Sequence, residues 1–160
     1  MNITQFDGLP AAAAEAELVA VCRAPRWAAA VAAGRPYGSA EALQAAAAAA
    51  LADVDLDAAM AGHPRIGDRT AAGPSRREQS AVATAEADVL TALAAGNRAY
   101  EERFGHVYLV CATGRSAEDL LATLHARLGN DPATERAVAL GELAAINRIR
   151  IARLLGEGPA

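Results

Sequence analysis

The stretch "PATERAVALGELAAINRIRIARLL" (132–155) decides the fold of this chain. Its Ala, Leu, Glu and Arg residues are strong helix formers, and Pro132 is tolerated at a helix start, where the missing N–H has no intrahelical duty. Asp131 stands in the capping position before it, and Glu135 falls in the first turn, where the helix dipole favours an acid. Further along, Leu143, Ile146, Arg150 and Leu154 recur at intervals of three, four and four, the spacing of a single helix face. The spacing predicts one long helix with an inward stripe, and an arginine sits on that stripe. Burying a lone guanidinium costs several kcal/mol, so Arg150 requires an acid or a polar ligand. An ion pair with a glutamate such as Glu78 and a contact to a ligand both meet that need. Arg148 and Arg153 diverge from the stripe and read as solvated charges.

Upstream, the same Ala- and Leu-rich composition predicts helices over 10–23, 25–33, 39–52, 75–95 and 116–128. Pro25 suits a first turn, and Gly34 and Gly129 suit helix ends. Only "HVYLVCA" (106–112) looks strand-like, and no second strand exists to pair with it. Its main-chain groups must then be satisfied by side chains, loops or a ligand. The expected fold is all-α: one domain over 1–160, a bundle of about seven to nine helices with one buried extended segment.

The 160 residues suit one domain with a respectable core, although the 53% hydrophobic content overstates it, because Ala buries little area. Fifteen Lys and Arg against nineteen Asp and Glu give a charge of -4, which provides no general field for nucleic acid or an anionic membrane. A small-molecule or protein partner is expected instead. Cys22 and Cys111 lie outside any C-x-x-C pattern, which fits a reducing, cytoplasmic setting rather than a disulfide framework. The acidic N-terminal region lacks the basic start of a signal peptide, and the apolar run 45–52 falls far short of the ~18 residues that suggest a membrane span. His63, His106 and His125 lack metal-ligand spacing, so no metal site is expected, and no phosphate-binding loop is present.

Helical text breaks off at "GHPRIGDRT" (62–70). Pro64 pushes His63 out of helical backbone, which projects the imidazole from a loop. It then either fills a polar niche or carries chemistry. Downstream, "SRREQ" (75–79) opens a helix after Gly73-Pro74. Ser75 and Glu78 have the spacing of a capping box, in which hydroxyl and carboxylate satisfy each other's main-chain amides. The same free amides and positive dipole also favour an anionic ligand, so cap and ligand contact remain open for both residues. Gln79 has no capping duty and offers a neutral donor and acceptor.

These motifs together, "HPRIGD", "SRREQ", "NRAYEERFGHVYLVCATG" and "ELAAINRIRIARLL", resemble the 2-oxo-4-hydroxy-4-carboxy-5-ureidoimidazoline (OHCU) decarboxylase family of urate degradation. The likeness runs through nearly the whole chain and includes "FDGLP", "RAPRWAAAV" and "GRPY". It implies an all-α domain, a homodimer, and a carboxy-lyase working without metal or organic cofactor. The implied reaction removes the carboxylate of an unstable imidazoline and yields (S)-allantoin and carbon dioxide. By position, the resemblance gives catalytic roles to His63, Glu78 and Arg150, and substrate contacts to Pro64, Ser75 and Gln79. It further implies that Tyr108, Leu109, Val110, Cys111 and Ala112 line the pocket with their backbone. Tyr108 stands where the family more often has Phe.

Two other functions fit the residues read alone. A non-catalytic helical scaffold would use "HPRIGD" as a connector, and the inward Arg150 counts against it. A hydrolase acting on a related ureide would need His63 or Glu78 to activate water.

Overall fold

A computed structural model describes residues 1–60, 63–67, 78–79 and 86–157. Ser75 therefore lies outside the described residues, as does most of the turn holding the expected capping box. Eight α-helices occur among the described residues: α1 Ile3–Asp7, α2 Ala11–Val21, α3 Pro25–Ala33, α4 Ala40–Ala49, α5 Leu56–Met60, α6 Ala87–Phe104, α7 Ala117–Arg127 and α8 Pro132–Leu154. A short 3-10 turn, Ala50–Asp53, follows α4. The all-α expectation holds, with no strand among the described residues.

Contacts divide the chain into two compact units, one of residues 1–62 and 144–160, the other of residues 63–143. In the first, Phe6, Leu18, Trp27, Val31, Leu43 and Ile151 are buried. Trp27 satisfies its indole N–H on the Ala47 carbonyl at 2.9 Å. The "GRPY" stretch is a staple: Arg35 donates to the Phe6 and Leu9 carbonyls at 2.9 and 2.7 Å. Asp7 in turn accepts the amides of Tyr37 and Gly38 at 3.0 and 2.8 Å. Hydrogen bonds to charged groups contribute about 1.5–3 kcal/mol each, enough to hold this turn without a regular element. A cavity of about 180 Å³ lies in this unit, with Gln44, Leu51, Asn147 and Ile151 in its wall. None of the expected site residues lines it.

The second unit is organised by α6 and α7 around Leu93, Tyr100, Leu120 and Leu124, and the start of α8 joins it through Glu135, which accepts from Tyr100. One expectation fails here. A single helix over 75–95 does not form, because Glu86 is extended (φ -63, ψ 151) and caps α6, which then runs on to Phe104. Asp88 supplies the first-turn acid at this new start. The helix passes through Gly96 and Asn97 for a packing reason. A Cβ on Gly96 would meet Leu124 Cδ2 at 2.6 Å, so glycine is needed where α6 and α7 cross. Close packing outweighs the roughly 1 kcal/mol propensity cost. The helix stops at Gly105, whose φ of 77° is left-handed.

Candidate functional site

Residues 63–67 lead into the second unit, and α6 holds this loop. Arg65 pairs with Glu101 at 2.6 Å, but its side chain is 59% exposed, so the pair adds little. The firmer anchors lie deeper. Asn97 Nδ2 donates to the Ile66 carbonyl at 3.0 Å, and the Ile66 side chain joins the core. The next amide, of Gly67, donates to Gln79 Oε1 at 2.9 Å. Gly67 has φ +87°, a conformation that side chains other than glycine's resist, so this residue is what allows the loop to turn. His63 is buried at the head of the loop and Pro64 is half-buried.

Asn97 escaped the sequence reading, although the signal was present. Leu93, Gly96, Asn97 and Tyr100 follow the same three-and-four spacing that singled out Arg150, and all four are buried. Its Oδ1 is buried with no hydrogen-bond partner among the described residues. Glu78 is also buried, and Gln79 half-buried with its oxygen committed to Gly67.

Residues 107–112 run without helix or turn, as the lone "HVYLVCA" segment suggested. Tyr108, Val110 and Ala112 pack in one core cluster and Leu109 and Cys111 are not members of it, which is the two-residue alternation of a pleated chain. Side chains replace a partner strand. Arg127 Nη1 donates to the Leu109 carbonyl at 2.7 Å, and the Cys111 amide donates to Glu142 Oε2 at 3.1 Å. Tyr108 anchors its own ring by donating to the Leu120 carbonyl at 3.0 Å.

Arg127 is held in turn by a buried network. Its Nε donates to Glu135 Oε1 at 2.7 Å, and Nη2 bonds the same oxygen. Tyr100 donates to that carboxylate at 2.5 Å and Asn130 at 3.0 Å. Burial would raise the Glu135 carboxyl, but hydrogen bonds from Arg127, Tyr100 and Asn130 outweigh it and hold the group below the ordinary carboxylate range. The guanidinium also lies 4.9 Å from the Tyr108 ring centroid and 5.8 Å from that of Tyr100. Burial is the main reason the Tyr108 hydroxyl is pushed up to about 12, and the same cause raises Tyr100. Glu135 thus serves as the counter-charge of a buried arginine as well as a first-turn acid, a role its sequence position alone did not disclose.

The Cys111 thiol is raised chiefly by burial, with the Glu142 and Glu78 carboxylates adding to the shift. Two acids therefore act on one point of the extended segment. Arg150 belongs to the first unit. There it is buried on the stripe of α8, as its spacing predicted, and donates to the Val21 carbonyl at 2.9 Å. Leu143 and Ile146 on the same stripe are buried, whereas Arg153 is half-buried rather than fully solvated. Nearby, burial pushes the Cys22 thiol up against the opposing influence of Asn147 and Arg150. No three His, Cys, Asp or Glu side chains among the described residues gather closely enough to hold a metal ion.

Comparison with known proteins bears on the family and the fold. A crystal structure of OHCU decarboxylase in the presence of (S)-allantoin is 28% identical and superposes with a TM-score of 0.77, covering 88% of this chain and 97% of that one. A crystal structure of (S)-allantoin synthase, 18% identical over 96% of this chain and 54% of that one, has a TM-score of 0.71 and attests to the fold alone. The 2-oxo-4-hydroxy-4-carboxy-5-ureidoimidazoline decarboxylase of Amia calva is 30% identical across 81% of this chain and 79% of its own length. The uric acid degradation bifunctional protein TTL of Arabidopsis thaliana is 35% identical over 62% of this chain, and the match spans only 33% of that longer protein. The OHCU decarboxylase family model matches residues 7–152, and the chain belongs to that family.

Proposed function

We infer that the chain is a carboxy-lyase that converts 2-oxo-4-hydroxy-4-carboxy-5-ureidoimidazoline to (S)-allantoin and carbon dioxide in urate breakdown. The observation that carries this reading is the loop after His63: a buried imidazole followed by main-chain groups tied to Asn97 and Gln79, in a chain of this family. Precise placement of a proton-transfer group is what such a reaction asks of a protein.

When the bond from ring carbon to carboxylate breaks, its electron pair moves into the adjacent C=N of the ring. The substrate supplies its own electron sink, so the chemistry does not call for a borrowed one. His63, oriented by Glu78, handles the proton at the hydroxyl-bearing carbon and its substituents. Gln79 holds ring or ureido oxygens through its nitrogen, since its oxygen is engaged with Gly67. Ser75 and Pro64 contribute contacts, and the backbone of Tyr108, Leu109, Val110, Cys111 and Ala112 lines the pocket. The leaving carboxylate faces a less polar wall, because strong pairing to it would stabilise the ground state more than the transition state. Protonation of the enol-like product on one face sets the S configuration. Arg150 is assigned to substrate capture, on the resemblance and on its inward place on α8. The resemblance further supports a homodimer, for which light scattering should give twice the 16.3 kDa chain mass, and the pattern of Cys22 and Cys111 supports a cytoplasmic setting.

His63→Gln tests the reading. Freshly generated substrate should lose its carboxylate at least ~100-fold more slowly with the variant, and the circular-dichroism signal of (S)-allantoin should vanish. Helical content and Tm should stay as in the unaltered protein. A fully active variant removes His63 from the mechanism.

A further inference from the structure

We propose that Glu142 is a positioning residue: by accepting the Cys111 amide it completes, with Arg127, a side-chain clamp along one edge of the extended segment and dedicates the opposite edge, at Val110, to the ligand. The proposal rests on the function inferred above, which already lends the backbone of this segment to the ligand, and adds to it the residue that positions it.

In a pleated chain the N–H and C=O of one residue point to the same edge, and those of the next residue to the other. Alternate packing of Tyr108, Val110 and Ala112 in the core shows that this stretch is pleated. Leu109 and Cys111 therefore present their main-chain groups to a common edge. Both are bonded there, the Leu109 carbonyl by Arg127 at 2.7 Å and the Cys111 amide by Glu142 at 3.1 Å. On the other edge the Ala112 carbonyl accepts the Arg115 amide at 3.0 Å, closing that end of the segment. Val110 lies between, 3% exposed, and no described residue bonds its main chain. Buried main-chain groups are rarely left unsatisfied, and a ureide ring carries alternating N–H and C=O groups that would pair with both.

The two clamps differ in a way that identifies Glu142 as the adjustable one. Arg127 is locked by Glu135 and two tyrosine rings, and its loss would cost the unit its stability. Glu142 is half-buried at the middle of α8, so removing its carboxylate leaves the core in place. What it would change is the freedom of the chain at Cys111, one residue from the ligand edge.

Glu142→Leu and Glu142→Gln separate this role from a general one. In the leucine variant the Cys111 amide should exchange with solvent at least ~10-fold faster, by nuclear magnetic resonance, while Tm stays close to that of the unaltered protein. KM should rise about tenfold, with kcat changed much less, as expected for a misplaced hydrogen-bond partner in the ground state and transition state alike. Glutamine keeps an acceptor oxygen and should restore both the amide protection and KM. Titration with (S)-allantoin should shift the Val110 amide resonance, and Glu142→Leu should weaken that response. The clamp is overturned if Cys111 exchange is unchanged in Glu142→Leu, or if Glu142→Gln behaves like the leucine variant. An unaltered protein that fails to consume the imidazoline refutes the functional reading instead, and the exchange measurement still decides the clamp.

Discussion

Arg127 and Glu135 form an ion pair whose side chains are only 6% and 0% exposed, and the same guanidinium reaches the Leu109 carbonyl at 2.7 Å. One buried charge pair thus ties the end of α7 and the first turn of α8 to the extended segment. Removing one partner leaves the other charged and desolvated, at a cost of about 3–5 kcal/mol. Glu135→Leu should lower stability to urea by that amount. The double variant Arg127→Met, Glu135→Leu should recover much of the loss, since it leaves no orphaned charge. Equal destabilisation in the single and double variants would argue that the pair's hydrogen bonds to Leu109 and Tyr100 outweigh its charges.

The same network sets the pH range of the second unit. Glu135 is depressed, so its contribution is present above the unfolded carboxylate value of ~4.3 and is lost as pH falls through its lower folded value. Tyr108, pushed up to about 12, and Tyr100, also raised, contribute below ~10 and lose that contribution as pH climbs through their folded values. The thermal midpoint should therefore fall at both ends of the scale. Tyr108→Phe should flatten the alkaline limb while leaving the acid limb in place, by scanning calorimetry across the range. An alkaline limb identical to that of the unaltered protein would exclude Tyr108 as its source.

Gly96→Ala sets propensity against packing. Alanine in a helix interior gains roughly 1 kcal/mol over glycine. Against that stands a Cβ placed 2.6 Å from Leu124 Cδ2 and 3.3 Å from its Cγ, with Leu124 fully buried and hemmed in by the core. Overpacking of this kind costs about 1–3 kcal/mol, so a net loss near 1 kcal/mol is expected by chemical denaturation. A stabilised variant would mean that Leu124 relaxes freely.

Periodicity disclosed the long elements because each has one buried face. α3 was predicted with the ends it has, and α2, α7 and α8 to within two residues at each end, from formers, prolines and stops. The course of α6 was misread because Gly96 and Asn97 look like a helix end locally, and only the crossing with Leu124 makes them interior residues. The short helices α1 and α5 carry too few turns to show a period, and α1 depends on a capping box between Asn2 and Gln5. Of the residues expected to carry chemistry, His63 and Arg150 were legible because each breaks a local rule, one before a proline and one on an apolar stripe. Glu142 and Asn97 break none. Their partners, Cys111 and Ile66, each lie 31 residues away, and no local pattern encodes such pairings.

The segment held by Arg127 and Glu142 is also the most β-prone text in the protein, and no strand lies beside it among the described residues. Should the second unit open, the run Val107, Tyr108, Leu109 and Val110 would lose its side-chain escorts and offer bare edges to another copy of itself. Self-association of partly opened molecules is then set by how long those escorts stay in place, which makes colloidal behaviour on heating a property of one short stretch of backbone rather than of the helices around it.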